Sequence, residues 1–331
     1  MNPLETILDK RRSRRNFLAG AGASLGAAAL LSGCSDQGST TTTVTTPTTT
    51  AYTDTDILNF ALNLEYLEAE FYLRAATGVG LSSTNVGGAT TVVTGGAKVP
   101  GLTSTQQNIL NEIAFDEQQH VLFLRSALGA SAVSRPNIDL TNSFNALASA
   151  AGIASTFNPF ASWDAFLVGA FIFEDVGVTA YNGAAPLISS AGITAGYLAA
   201  AAGIMAVEAY HAAYVRTALT ANVIAQGSTA YPYFGYANKV STLRGQLGGG
   251  NETALVIPTG TNSSTSVVSG SSIVAADSTN AIAYHRTTDQ VLHIVYGTFS
   301  NTAGSTTPAA GVKAGGFFPS GLNGNITATL S

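Results

Sequence analysis

Four glutamates and two histidines stand in an order that could hold metal. Residues 204–215 read IMAVEAYHAAYV and contain Glu208 and His211; residues 110–124 contain Glu117 and His120. Residues three apart on a helix share a face, so each Glu-x-x-His sets a carboxylate beside an imidazole. Glu65 lies in ALNLEYLEAEFY and Glu174 in FLVGAFIFEDVG. The chain order is therefore Glu, Glu-x-x-His, Glu, Glu-x-x-His. One such element arises easily by chance. The complete set is the ligand pattern of a four-helix bundle that binds two metal ions in its interior.

Periodicity supplies the helices that must position these groups. Helices are expected at about 54–75, from 103–105 to 128, at 162–185 with Pro186 as its stop, and at 191–225. Asp54 or Asp56 can cap the first. Their apolar seams run through Leu58, Leu62, Glu65, Ala69 and Tyr72; Leu110, Ile113, Glu117, His120 and Leu124; Trp163, Leu167, Ala170, Glu174, Gly177 and Tyr181; and Ile204, Glu208, His211 and Val215. Such stripes face a bundle core. Glu65 to Tyr72 and Glu174 to Tyr181 both span seven residues, so the halves read as a repeated helix pair. Each tyrosine could then support a ligand of the opposite half.

The other acids read differently. Glu68 is a reserve ligand, more naturally a carboxylate at the bundle flank or supporting a ligand. Glu70 falls on the polar side with Asn59, Asn63 and Arg74, and pairs with Arg74 at i,i+4. Glu112 and Asp116 read as solvated or supporting, and Asp175 as facing out or supporting the site. Charge bookkeeping favours cations: Glu65, Glu117, Glu174 and Glu208 bring −4, which two divalent ions neutralise with His120 and His211 as neutral ligands. A metal-free hydrogen-bonded network stays open as the alternative, although buried charges are normally paired or metal-bound.

The run LNFALNLEYLEAEFY resembles the first helix of ferritin-like chains of the desiccation-related type. The likeness extends to VYGTF at 295–299 and GGFFPSG at 315–321, and covers roughly residues 55–331. It implies an all-α fold, a ferritin-like four-helix bundle over 54–225, with Glu65, Glu117, His120, Glu174, Glu208 and His211 as candidate ligands. The expected cofactors are two Fe or two Mn ions, between which ligand type does not choose. The long connection at 77–103, in which a short β-hairpin is expected, and the extension at 226–331 depart from cage-forming ferritins. That extension reads as loops and short strands packed on the bundle, with a short helix from Thr288-Asp289 to about Tyr296. His285 and His293 read as surface or packing residues.

The N-terminus reads as an address. Ser13-Arg14-Arg15-Asn16-Phe17-Leu18 resembles a twin-arginine export signal, and residues 17–33 are uncharged. Leu31-Ser32-Gly33-Cys34 looks like a lipoprotein box with Cys34, the single cysteine, as the residue to be acylated; simple cleavage without lipid and a retained membrane anchor stay open as alternatives. Residues 1–34 are expected to be the signal, and the Ser/Thr-rich residues 35–53 a tether with too little apolar area to fold. The expected place is the periplasmic side of the cell envelope; if the chain is processed as a lipoprotein, lipid on Cys34 ties it to the membrane, and Ser35 after Cys34 favours the outer one. The expected export partner is the twin-arginine machinery.

Composition narrows the rest. Of the 331 residues, 46% are hydrophobic and only 10% charged, enough for a sizeable core with a Ser, Thr, Asn and Gly surface. Residues 1–34 hold five of the fourteen Lys and Arg and two of the nineteen Asp and Glu, so the remainder carries about −8. With no basic run after residue 34, no nucleic-acid partner is expected. The leading expectation is an oxidoreductase that meets dioxygen or hydrogen peroxide at a di-iron or di-manganese centre, as a ferroxidase, peroxidase or catalase. The alternatives are a non-enzymatic desiccation or stress protein braced by metal, and a surface iron-binding protein. No catalytic residue is assigned, and a homodimer stays open as the assembly.

Overall fold

Thr53 begins the ordered helical body. Its hydroxyl accepts from the Asp56 N–H and the Asp56 carboxylate accepts from the Thr53 N–H, a reciprocal cap that starts α1, Asp54–Thr77. Of the two acids expected at the cap, Asp56 joins the box as its third helical residue, while Asp54 accepts from the Ser189 N–H at 2.8 Å. The computed structural model describes residues 52–88, 90–257, 273–297 and 309–330. The export-type segment with Arg14, Arg15 and Cys34, the tether up to residue 51, and Pro258, Asn262, Phe299 and Pro308 lie outside the described residues.

Three more long helices complete the bundle: α2, Ser104–Leu128, capped by Thr103; α4, Trp163–Ala184, capped by Ser162; and α6, Tyr197–Gln226. They pack as two pairs, α1 with α2 and α4 with α6. The expected fourth helix is broken near its start. A short α5, Ser190–Thr194, ends before Gly196, whose φ of 89° is left-handed backbone that a side chain would disfavour.

Between the pairs, the linker carries an unanticipated α3, Asn142–Ala150. Among the described residues of 77–103 the expected hairpin does not form. The strand described there, β1, Val93–Thr94, pairs in parallel with β2, Ile138–Asp139, so the connection is tied across to the linker. The side chains there favour this partner: Asn137 accepts from the Val92 N–H at 2.9 Å, and Thr91 donates to the Arg135 carbonyl at 3.0 Å.

These segments bury the face of α1 that reads as polar. Asn59, Asn63 and Glu70 are all buried. Asn59 donates to the Ser131 carbonyl and accepts from the Val133 N–H, both at 2.9 Å. Asn63 exchanges two bonds with the Asn323 backbone, at 2.9 and 3.0 Å. Glu70 keeps Arg74 at 2.9 Å and gains Arg135. The polar side chains satisfy loop backbone that would otherwise be buried without partners.

The tail packs on the bundle but contains more helix than expected: α7, Tyr233–Leu247, precedes the foreseen α8, Thr288–Tyr296. Both rest on α4. The cap of α8 is Thr287, one residue earlier than expected. With α6, α7 and α8 around it, α4 is buried from Ala165 through Tyr181. Asp175 is therefore buried, not outward, and meets Arg216 of α6 at 2.9 Å and Arg244 of α7 at 3.0 Å. Arg244 and Arg286 share Glu252, at 2.9 and 2.7 Å. Removing one partner of such a buried group leaves uncompensated charge. Asp175→Ala is expected to cost about 3–5 kcal/mol, read as a lower urea midpoint with unchanged slope; a shift within error would refute this role.

Candidate metal centre

The four long helices deliver their acidic seam positions to one place. Glu65 comes from α1, Glu117 and His120 from α2, Glu174 from α4, and Glu208 and His211 from α6, and all are buried. Donor atoms of Glu65, Glu117, His120 and Glu208 lie within 4.8 Å of one another, and so do those of Glu117, Glu174 and His211. Glu117 belongs to both groups. Its Oε2 is 3.4 Å from Nδ1 of His120 and its Oε1 is 3.1 Å from Nδ1 of His211. His120 Nδ1 also faces Glu65 at 3.2 Å and Glu208 at 3.5 Å, while His211 Nδ1 faces Glu174 at 3.5 Å.

Hydrogen bonding does not account for this convergence. Oε2 of Glu65 and Glu174, both carboxylate oxygens of Glu117 and Glu208, and Nδ1 of both histidines are buried without a hydrogen-bond partner. Orphaned polar atoms at such density are costly. Cations between them would satisfy the whole set, since carboxylate and imidazole are good ligands for divalent transition metals. The residues present thus fit a metal centre.

The remaining donor atoms are oriented from outside. Tyr72 of α1 donates to Oε1 of Glu174 on α4, and Tyr181 of α4 donates to Oε1 of Glu65 on α1. This exchange is the one that the matched seven-residue spacings suggest. Nε2 of His211 lies 3.2 Å from Asp116, which leaves Nδ1 as the inward ligand atom. Asp116 thus supports the site, whereas Glu112 is exposed. Glu68 is buried beside the centre but outside both donor groups. It lines a cavity of about 20 Å³ with Glu65, Gly177, Tyr181 and Glu208. Among the described residues His285 is exposed and His293 is buried on α8, and neither joins a donor group.

Electrostatics reflect crowded carboxylates. Burial raises Glu65 and Glu174, with the histidines opposing. Burial raises Glu68 and Glu208 well above the usual carboxylate range, helped in Glu68 by Glu208 and in Glu208 by Glu117. Burial also acts on Glu117, but the close approach of the His120 and His211 rings, at 3.4 and 3.1 Å, outweighs it and holds its pKa at about 2. Burial opposes the charge on His211, yet Glu174 and Glu117 push its pKa up to about 12; His120 is raised too, first by Glu65. In metal-free protein the imidazoles therefore take the cationic role.

One glycine was legible in the seam without its reason being so. A Cβ on Gly177 would lie 2.4 Å from Oε2 of Glu208, so only hydrogen leaves room for that carboxylate.

A family model for the ferritin-like domain matches residues 53–221. The chain belongs to the ferritin-like family. Two relatives carry the likeness beyond the bundle. Ferritin-like catalase Nec2 of Nesocodon mauritianus is 28% identical over 285 residues, covering 82% of this chain and 84% of its own. Desiccation-related protein PCC13-62 of Craterostigma plantagineum is 30% identical over 253 residues, covering 72% of this chain and 76% of its own. Both alignments are longer than the ferritin-like match, so the similarity includes segments outside the four helices.

The site makes two predictions. Gly177→Ala should displace the Glu208 carboxylate and lower metal bound per chain, with helix content unchanged by circular dichroism; full occupancy would refute the close approach. Stability of chelator-treated protein should fall as pH rises above about 6.5, where the raised carboxylates Glu65, Glu68, Glu174 and Glu208 add to the loss, and as pH drops below about 4.5. His211, raised from 6.5 to about 12, stabilises fully below about pH 6.5, and this is lost as pH rises toward 12. Glu117, lowered from 4.5 to about 2, stabilises above about pH 4.5, and this is lost as pH falls toward 2. Metal held by these residues would take the place of the imidazole protons, so loading should release protons and tighten with pH. Calorimetry in buffers of different ionisation enthalpy measures that release.

Proposed function

We propose that this ferritin-like chain holds two iron or two manganese ions and breaks down hydrogen peroxide in a catalase-like reaction. The observation that carries the reading is the ring of buried, unpartnered donor atoms around Glu117. The relative named a ferritin-like catalase, aligned over 82% of this chain, supports the choice of peroxide. Overall, two molecules of hydrogen peroxide become one of dioxygen and two of water. A bound metal pair would supply the exchange of two electrons.

The chain's own groups supply the rest. Glu117 would be shared between the ions, with Glu65, His120 and Glu208 on one side and Glu174 and His211 on the other. Tyr72 and Tyr181 fix the orientation of Glu174 and Glu65. Glu68, whose burial favours the protonated acid, would hold a proton beside the cavity that reaches Glu65 and Glu208. That cavity has room for about one water molecule, which suits a small oxidant and excludes bulky donors.

A second reading is a desiccation-related protein in which the metal only braces the bundle. The relative of that name and the small size of the cavity favour it. We further place the protein on the periplasmic side of the cell envelope, exported by the twin-arginine machinery and held by lipid on Cys34. The motif at Arg14 and Arg15 and the position of the single cysteine support that placement.

Metal analysis and oxygen evolution test the proposal together. Protein from its native host should contain about two Fe or Mn per chain and evolve oxygen from peroxide. The double variant Glu117→Ala, Glu208→Ala should lose both. Tyr72→Phe should keep metal and lose roughly tenfold in rate, as expected when a group orienting a ligand is removed. Two ions per chain with no oxygen evolved selects the structural reading; no metal at all overturns both.

A further inference from the structure

Tyr72 meets Glu174 and Tyr181 meets Glu65, so α1 and α4 run antiparallel past each other. Carried along both helices, that register sets Glu68 against Gly177 and Ala61 against Ala184. Gly177, Ala180 and Ala184 follow one another on α4 at steps of three and four, and so share a face. Such small side chains do not fill the space beside α1, and the cavity of about 20 Å³ lies along them.

The wall of this cavity is graded. Ala61 and Ala184 are its partly exposed members; the rest of its lining is buried. Glu68 is 6% exposed, Glu65 2% and Glu208 0%. Glu68 belongs to neither donor group, and among the described residues no hydrogen bond reaches its carboxyl. A buried polar group left without a partner is costly, and a molecule in the cavity would supply one. The remaining lining is apolar, from Ile57, Phe60, Leu64 and Ala180, and no Lys or Arg is part of it.

We propose that the gap between Ala61 and Ala184 is the entrance to the centre, that it admits small uncharged molecules able to hydrogen-bond, and that the Glu68 carboxyl holds them beside Glu65 and Glu208. The volume admits about one water-sized molecule at a time. An anion would lose its hydration against apolar side chains and carboxylates, with no cationic group on the wall to compensate. Hydrogen peroxide is small, neutral, and both donates and accepts. The entrance rests on the cavity; only the choice of peroxide as its traffic rests on the catalase-like function proposed above.

Radical footprinting of the metal-free full chain tests the entrance, with oxidation read by peptide mass spectrometry. Hydroxyl radicals, small and uncharged, should oxidise Tyr181 on the cavity wall and the exposed Tyr210, but not Tyr72, the buried counterpart outside this cavity. Sulfate radical anions should oxidise Tyr210 alone of the three. Ala61→Leu and Ala184→Leu, each filling the gap, should cut hydroxyl-radical oxidation of Tyr181 severalfold, with Tyr210 unchanged and the fold kept by circular dichroism. Tyr181 untouched in the native chain, or undiminished in both variants, overturns the entrance. Oxidation of Tyr181 by the anion as readily as by the neutral radical overturns its selectivity. In metal-loaded protein the same variants should evolve oxygen more slowly at low peroxide, with metal per chain unchanged. Native protein that evolves no oxygen overturns the catalase-like function and not the entrance, which the footprint decides.

Discussion

Four carboxylates in the middle of an apolar bundle repel one another, and the chain must offset that repulsion to fold. Each would be costly alone in a low-dielectric interior. Burial first, and their mutual repulsion second, push Glu208 and Glu68 well above the usual carboxylate range and favour their protonated forms. The donor atoms already face a common centre, so cations could take the place of those protons between them.

The same problem recurs with the sign reversed one layer out. Arg216, Arg244 and Arg286 are each fully buried around Asp175 and Glu252. Asp175 adjoins Glu174, so the backbone that carries a candidate metal ligand also carries the anchor of the arginine cluster. Arg244 lies over the Phe171 ring at 4.5 Å and donates to carbonyls of α4, which fixes the helix as well as the charge. The tail is therefore part of what holds the centre in register.

The candidate centre was legible in the sequence because its geometry is local. Glu117 and His120, or Glu208 and His211, fall on one face by helical arithmetic. The seven-residue step from Glu65 to Tyr72, repeated from Glu174 to Tyr181, announced the exchange of hydrogen bonds between halves. What could not be read depends on contacts far apart in sequence. Asn59, Asn63 and Glu70 look like a solvated face until residues 131–135 and 323 cover them. The helix α7 escaped notice because its inward face mixes Val240 and Leu243 with Ser241 and Arg244, which blurs the apolar period. One signal was available for the arginine cluster: apart from Glu208 and His211, Arg216 is the only ionisable group of α6 other than tyrosines, and an isolated charge on an apolar helix needs a partner.

The crossed tyrosine bonds explain why two helix pairs make one site. Each pair alone brings a Glu and a Glu-x-x-His, yet neither completes a donor group. His120 needs Glu208 from the other pair, and His211 needs Glu117. Tyr72 and Tyr181 lock the same interface from both sides, each satisfying an oxygen that metal would leave free. Association of the halves, burial of the carboxylates and assembly of the centre are thus a single event. Whatever weakens one half's grip on Glu117 weakens both donor groups at once, because that carboxylate is the only member they share.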